Sequence, residues 1–287
     1  MEIYKGISRQ KAKQIISHSQ FVLNGENINH HPLQMLEKGS ILEIISLEKT
    51  GIGSSIPTGK KPVVICFEDD SLIIAIKPAG ILSCGNKELS VNNSYHKLLE
   101  NYISTRDRKK TRLWIVHRLD REVEGLLMFA KSEKTQRLIK NGWERVTKKY
   151  LALTENRPDP SEGIIENWLR EGPKQTVITS QREVPGSRIS RTEYRYVKTE
   201  KSYHLLEILL HTGRRNQIRV HLAGMGCPIV GDRKYGADAE VVRQIRLAAV
   251  MLEFEHPMSH KRIAVSYKPS QRFFRPSKSS DEKYKIL

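Results

Sequence analysis

Cysteine is scarce in this chain: of 287 residues three are cysteines, Cys66, Cys84 and Cys227. No two of them have the spacing of a zinc knuckle or a small disulfide framework, so a reducing, cytoplasmic setting is the expectation. No apolar run approaches the roughly 20 residues of a membrane helix. Met1 to Tyr4 lead directly into a patterned segment, so no signal or transit peptide is expected. No membrane partner is expected. Familiar catalytic motifs are also missing: there is no GxSxG, no HExxH, no GxxxxGKS or GxxxxGKT, and no GxGxxG. His256 and His260 stand four apart in HPMSH, but Pro257 opposes a helix that would aim both at one metal, and structural histidines are the simpler reading. Neither a metal nor a cofactor is expected.

Acidic residues are few beside the basic ones. Asp and Glu number 32 against 49 Lys and Arg, a formal charge of +17. A polyanion would shed counterions from such a surface, which points to nucleic acid as partner, with solubilising charge as the alternative. The chain is expected to act as a monomer.

Four segments follow from pattern and composition. In residues 1–48, Ser8 can cap a helix with Ala12, Ile15 and Ile16 at helical spacing, and Arg9 and Lys13 form a basic stripe four apart on its solvent face. Phe21-Val22-Leu23 reads as a strand entering the turn Asn24-Gly25, and Ile41 to Ile45 as another strand after Lys38-Gly39-Ser40. Residues 49–62, KTGIGSSIPTGKKP, have linker composition. Residues 63–270 form the large domain. Its strand-like runs (Val63 to Phe67, Leu72 to Ile76, Leu126 to Ala130, Tyr150 to Thr154, Glu193 to Val197, Leu205 to Leu210) alternate irregularly with helical stretches. That order predicts an α+β fold with a mixed sheet rather than a doubly wound parallel one. Residues 271–287 are a basic tail, expected to be ordered only in part.

Two segments set charged groups beside apolar patterns. In IVHRLDREVEGLLMFAK, the cluster from His117 to Arg121 sits just before a strand, where loops present functional groups. Taken alone, Asp120 fits either a surface ion-pair cluster or a reactive carboxylate. In HTGRRNQIRVHLAGMGCPIVGDRKYG, Gln217, Ile218, His221 and Leu222 have helical spacing after Thr212-Gly213, with Arg214, Arg215 and Arg219 interspersed. A basic helix start packed on the sheet is the bland account of it. Arg106, Arg108, Lys109, Lys110 and Arg112 are either phosphate contacts or a solvated charged loop.

Taken together, the blocks EDDSLIIAIKPAGIL, HRLDREVEGLLMFAK, KKYLAL and TGRRNQIRVHLAGMGCPIVGDRKYG, in this order, resemble the RluA-type pseudouridine synthases. SRQKAKQII, FVLNGENI and LEKGSILEI resemble the RNA-binding domain named after ribosomal small-subunit protein four. The resemblance implies a mainly antiparallel catalytic sheet and a cofactor-free isomerisation of uridine to pseudouridine in RNA, with ribosomal RNA favoured and transfer RNA the other candidate. It also implies roles. Asp120 matches the catalytic aspartate, Arg219 its guanidinium partner, and Tyr150 a tyrosine that stacks on the base and could take the carbon-5 proton. Ile218 matches the apolar residue on the other face of the base, and Arg118 the arginine that enters the space left by a flipped base. Gln217 is read as orienting its loop, Lys77-Pro78-Ala79-Gly80 as a structural turn beside the site, and Arg9 and Lys13 as RNA contacts. The chain departs from the family pattern at Val123-Glu124, Arg215-Asn216 and Ala248. These changes leave room for a weakly catalytic RNA-binding protein. A base-releasing glycosylase would in addition need a water placed to trap the sugar.

Overall fold

The computed structural model describes residues 63–85, 93–173, 176–238, 242 and 244–275, together with the backbone of strands β1 (Ser19–Leu23), β2 (Glu26–Ile28) and β3 (Leu42–Leu47). These three strands form one antiparallel sheet in the order β2-β1-β3, with Leu23 opposite both Glu26 and Leu42. The expected helix bearing Arg9 and Lys13, and the linker, lie outside the described residues.

The chain forms two compact units that interleave along the sequence: residues 1–119, 125–146 and 251–268, and residues 120–124, 147–250 and 269–287. In the first, β4 (Ile65–Glu68), β5 (Leu72–Lys77) and β7 (Glu124–Ala130) pair antiparallel, and β6 (Trp114–Ile115) adds to β7. LIIAIK and EGLLMFA are nearly continuous apolar runs, which suits strands covered on both faces; Leu72, Ile73, Ile74 and Leu126 to Ala130 are fully buried. Helix α1 (Tyr95–Asp107) begins where the Ser94 hydroxyl accepts from the Lys97 N–H, and buries Tyr95, Leu99 and Ile103. Helix α2 (Glu133–Asn141) is capped in the same way by Ser132 and buries Thr135 and Ile139.

The second unit is built on an antiparallel sheet with crossovers. Strands β8 (Thr147–Thr154), β9 (Glu162–Glu171), β10 (Val177–Ser180), β11 (Arg188–Glu200) and β12 (Tyr203–Leu210) lie in the order β10-β9-β11-β12-β8, and each pair is antiparallel. Helix α3 (Gln217–Gly224) follows β12 and is buried from Gln217 through Leu222. Strand β13 (Leu247–Glu255) carries the chain from this unit into the first, where its later residues pair with β14 (Arg262–Ser266). The α+β class and the mainly antiparallel sheet are as expected from the sequence. The expected strands are present and mostly longer: Glu193 to Val197 is the middle of a 13-residue strand. The tail begins with a short helix, α4 (Gln271–Phe274), whose Phe273 is buried against Leu153, Leu205, Val230, Val242 and Ala248.

Polar bonds fasten α3 to the sheet. The Gln217 amide accepts from the Thr212 hydroxyl (2.8 Å) and the Arg214 N–H (2.9 Å), and donates to Arg191 O (3.0 Å) and Thr192 Oγ1 (2.9 Å). One turn on, His221 Nδ1 lies 2.9 Å from Thr192 Oγ1, and Nε2 lies 2.9 Å from Asn167 Oδ1. Since Thr192 Oγ1 accepts from Gln217, its own proton is free for Nδ1, which puts the ring proton on Nε2. The imidazole is therefore a neutral bridge between α3, β9 and β11. Burial holds its pKa down, from 6.5 to about 4. Its contribution to stability is complete above about pH 6.5 and is lost as pH falls toward 4, because the unfolded chain binds a proton that the folded chain refuses. A folding stability measured by urea unfolding should fall by up to about 3 kcal/mol more in the native protein than in His221→Gln between pH 7 and pH 4. Parallel pH profiles would show that the bridge is not a neutral one.

Candidate active site

Asp120 ends the HRLD segment in a tight turn closed by the Val123 N–H, which donates to Asp120 O at 3.1 Å. Its predecessor Leu119 is fixed by Ser83, whose hydroxyl donates to Leu119 O (2.7 Å) and accepts from Leu119 N (3.0 Å). Val123, one of the departures from the family pattern, is buried. The side chain of Asp120 is 27% exposed, so the carboxylate is open on one side and walled on the other.

That wall is made by α3 and the loop after it. Arg219 is 5% exposed, and it meets the buried Asp232 in a two-pronged pair, Nε to Oδ2 at 2.7 Å and Nη2 to Oδ1 at 2.8 Å. Its remaining nitrogen, Nη1, faces Asp120 Oδ2 at 3.3 Å and Glu122 Oε2 at 3.6 Å. Burial works against the guanidinium charge, but the bonds to Asp232 and the charges of Asp232, Asp120 and Glu122 outweigh it and hold the arginine above its ordinary pKa. Asp232 itself is placed by Gly231, whose φ of +82° and 2.4 Å approach of a would-be Cβ to Gln244 O leave room for no side chain.

Tyr150 on β8 and Ile218 on α3 are buried in the same unit. Burial, and then the charge of Asp120, raises the Tyr150 phenol pKa. Asp120, Tyr150, Ile218 and Arg219 thus belong to one unit although up to 99 residues separate them. Gln217 is 2% exposed with its amide spent on protein partners, which suits the loop-orienting role rather than contact with a substrate. Arg118 is exposed and belongs to the other unit. In that other unit, Lys77 Nζ donates to Pro78 O and Ile81 O, both at 2.9 Å, so KPAG is a turn held from within by a buried ammonium.

One sequence reading changes, and three others gain detail. Arg106 is occupied in a forked pair with Glu68 (2.6 and 2.7 Å), which Lys131 also joins at 2.9 Å, so it is a structural cation rather than a phosphate contact. Ala248, where the family pattern has a histidine, packs in an apolar cluster. Asp232 and Tyr235 escaped notice although both stand in the quoted GDRKYG; an acid directly after a glycine in a basic loop was the available signal. His256 is buried, its Nδ1 accepts from the Met258 and Ser259 N–H groups (3.3 and 3.0 Å), and its Nε2 lies 2.8 Å from Asp69, which makes it a turn-forming residue.

Residues 71–224 match the family described as RNA pseudouridylate synthase. The chain belongs to that family. It is an isomerase of the class that converts uridine to pseudouridine in RNA. It is similar to YhcT of Bacillus subtilis, named an uncharacterized RNA pseudouridine synthase, with 29% identity over 86% of this chain and 81% of that one. It is 33% identical to the dual-specificity RNA pseudouridine synthase RluA of Vibrio cholerae over 68% of this chain and 78% of that one. With the ribosomal large subunit pseudouridine synthase D of Nitrosomonas europaea it shares 36% identity over 69% of this chain and 59% of that one. The solved structure of human RNA pseudouridylate synthase domain containing 4 has the same fold, with a TM-score of 0.61, 24% identity, and 73% of this chain and 90% of that chain covered. Among the described residues no helix is long and apolar enough to cross a membrane.

The buried pair predicts a stability effect. Asp232→Asn strips the charge that Arg219 needs and should cost about 3–5 kcal/mol, read as a lower thermal midpoint. An unchanged midpoint would mean that Asp120 and Glu122 neutralise the arginine without Asp232.

Proposed function

We propose that this chain isomerises uridines in structured ribosomal RNA with Asp120 as the reacting carboxylate. The observation that carries the reading is the half-open Asp120 carboxylate, 3.3 Å from a buried arginine whose other two donor positions are already committed. The N1–C1′ bond of the uridine breaks, the uracil turns, and carbon 5 bonds to C1′. The carbon-5 proton then leaves, and N1 ends carrying one, so no atom is gained or lost. An ionised carboxylate can attack or stabilise the sugar at C1′, and Arg219 fixes its direction with a charge-assisted bond. The base must be out of its stack to react. Tyr150, kept neutral by burial and by Asp120, offers one apolar ring face for it, and Ile218 the other. A phenol held this firmly in its neutral form is better suited to stacking than to removing a proton.

Ribosomal RNA is favoured because the relatives named above include a ribosomal large subunit synthase and because the charge is +17. Residues 1–48 would act as an RNA-binding domain through Arg9 and Lys13, joined by the linker 49–62 to the catalytic part 63–270, with Arg118 filling the gap left by the flipped base.

Asp120→Asn should abolish pseudouridine formation while RNA affinity stays within about tenfold, since the amide keeps the shape and loses the nucleophile. Turnover by that variant would remove Asp120 from the mechanism. Deleting residues 1–50 should weaken binding to the full RNA and flatten its salt dependence, while single-turnover chemistry on a short substrate persists. A collapsed single-turnover rate with an unchanged salt slope would instead make the N-terminal segment part of the active site.

A further inference from the structure

The residue before Gln217 has an unusual backbone. Asn216 is the N-cap of α3, yet its φ of 52° and ψ of 18° are left-handed, and its side chain makes no capping bond to the helix. An asparagine at an N-cap ordinarily spends its oxygen on the helix. Here the side chain is 93% covered and turned toward Asp120 and Tyr235 instead.

Two neighbours settle which way the amide points. If its oxygen faced Asp120, it could accept from Arg219 Nη1 at 3.3 Å but would stand 2.8 Å from the carboxylate Oδ2, two acceptors in contact. On its other side lies Tyr235 Oη, which already accepts from the Val177 N–H at 3.0 Å. Asn216, 2.8 Å away, is the acceptor described for the phenolic proton when its oxygen faces Tyr235. The nitrogen therefore faces Asp120, donating to Oδ2 at 2.8 Å and reaching Oδ1 at 3.3 Å.

We propose that Asn216 is a positioning residue for the isomerisation, holding the Asp120 carboxylate aimed through a directed chain from Val177 N–H to Tyr235 to Asn216 to Asp120. It is the shortest side-chain contact described for that carboxylate, nearer than Arg219 at 3.3 Å. The left-handed backbone and the need for an N–H donor are both met by asparagine. The inference rests on Asp120 being the reacting group.

The test uses the full chain with a transcript containing the modified site. Asn216→Asp keeps shape and left-handed tolerance but sets a second carboxylate on Asp120. Repulsion raises the carboxylate pKa, so the acidic limb of the kcat/KM profile should move to higher pH, and kcat at pH 7 should fall about 10- to 100-fold with KM little changed. Asn216→His, which restores an N–H donor at a left-handed position, should stay within about tenfold of the native kcat, its acidic limb unmoved. Tyr235→Phe should lower kcat, because the amide is then free to turn over. A native profile for Asn216→Asp, with Asp120→Asn inactive, overturns the positioning role and leaves the reading of Asp120 standing. Turnover by Asp120→Asn overturns both. Equal losses in the Asp and His variants, with unmoved pH limbs and lowered thermal midpoints, would reduce Asn216 to a structural residue.

Discussion

A guanidinium enclosed in a helix that packs on a sheet must be matched by charge, and the second unit is organised around that requirement. Arg219 is shielded from water by its own helix, whose residues from Gln217 to Leu222 are all buried. An unpaired cation there would cost several kcal/mol. Asp232 removes most of that cost with two short bonds, and a second consequence follows from their geometry: Nε and Nη2 are used, so the one nitrogen left over can point only where Asp120 stands. A structural ion pair thereby becomes a directional device. The Gln217 and His221 bonds to Thr192, Asn167 and Arg191 serve the same end, since a helix free to roll would swing Nη1 off the carboxylate.

Much of this was legible in the chain. Apolar runs such as LIIAIK and LLMFA gave strands, because a continuous hydrophobic segment between turn residues has few other fates. The helical spacing of Gln217, Ile218, His221 and Leu222 gave α3 within the observed bounds. Other strands were missed for a physical reason. EGIIENWLRE in β9 mixes charges with apolar residues, and half of the strand is exposed, so it lacks the unbroken apolar signal that marks β5 and β7.

The approach of Arg219 to Asp120 was legible in the chain, but the couplings around it were not. Asp120 and Arg219 stand in distinctive blocks, but which acid would pair with a given arginine depends on a loop whose path is set by Gly231, and no local pattern reveals that path. Asn216 is the clearer lesson. Its departure from the family pattern read as a possible defect, whereas its left-handed backbone and the donor it turns on Asp120 are invisible until the helix start and the Tyr235 hydroxyl are both in place. Arg106 shows the same limit: a basic run fits phosphate contacts or a solvated loop, yet the partner that claims this arginine, Glu68, is 38 residues away.

Cations stand beside the carboxylates of the candidate site. Asp120 and Glu122 by themselves would repel a phosphate backbone. Lys234 sits in the field of Arg219 and Arg215, and burial together with those two cations holds its ammonium below the ordinary lysine pKa. A lysine ammonium crowded in this way gains from any anion that arrives, which favours a bound phosphate. Asp120 and Asp232 act in the opposite sense on Lys234. The same arrangement aims one carboxylate through Arg219 and sets a lysine ammonium in the loop beyond it.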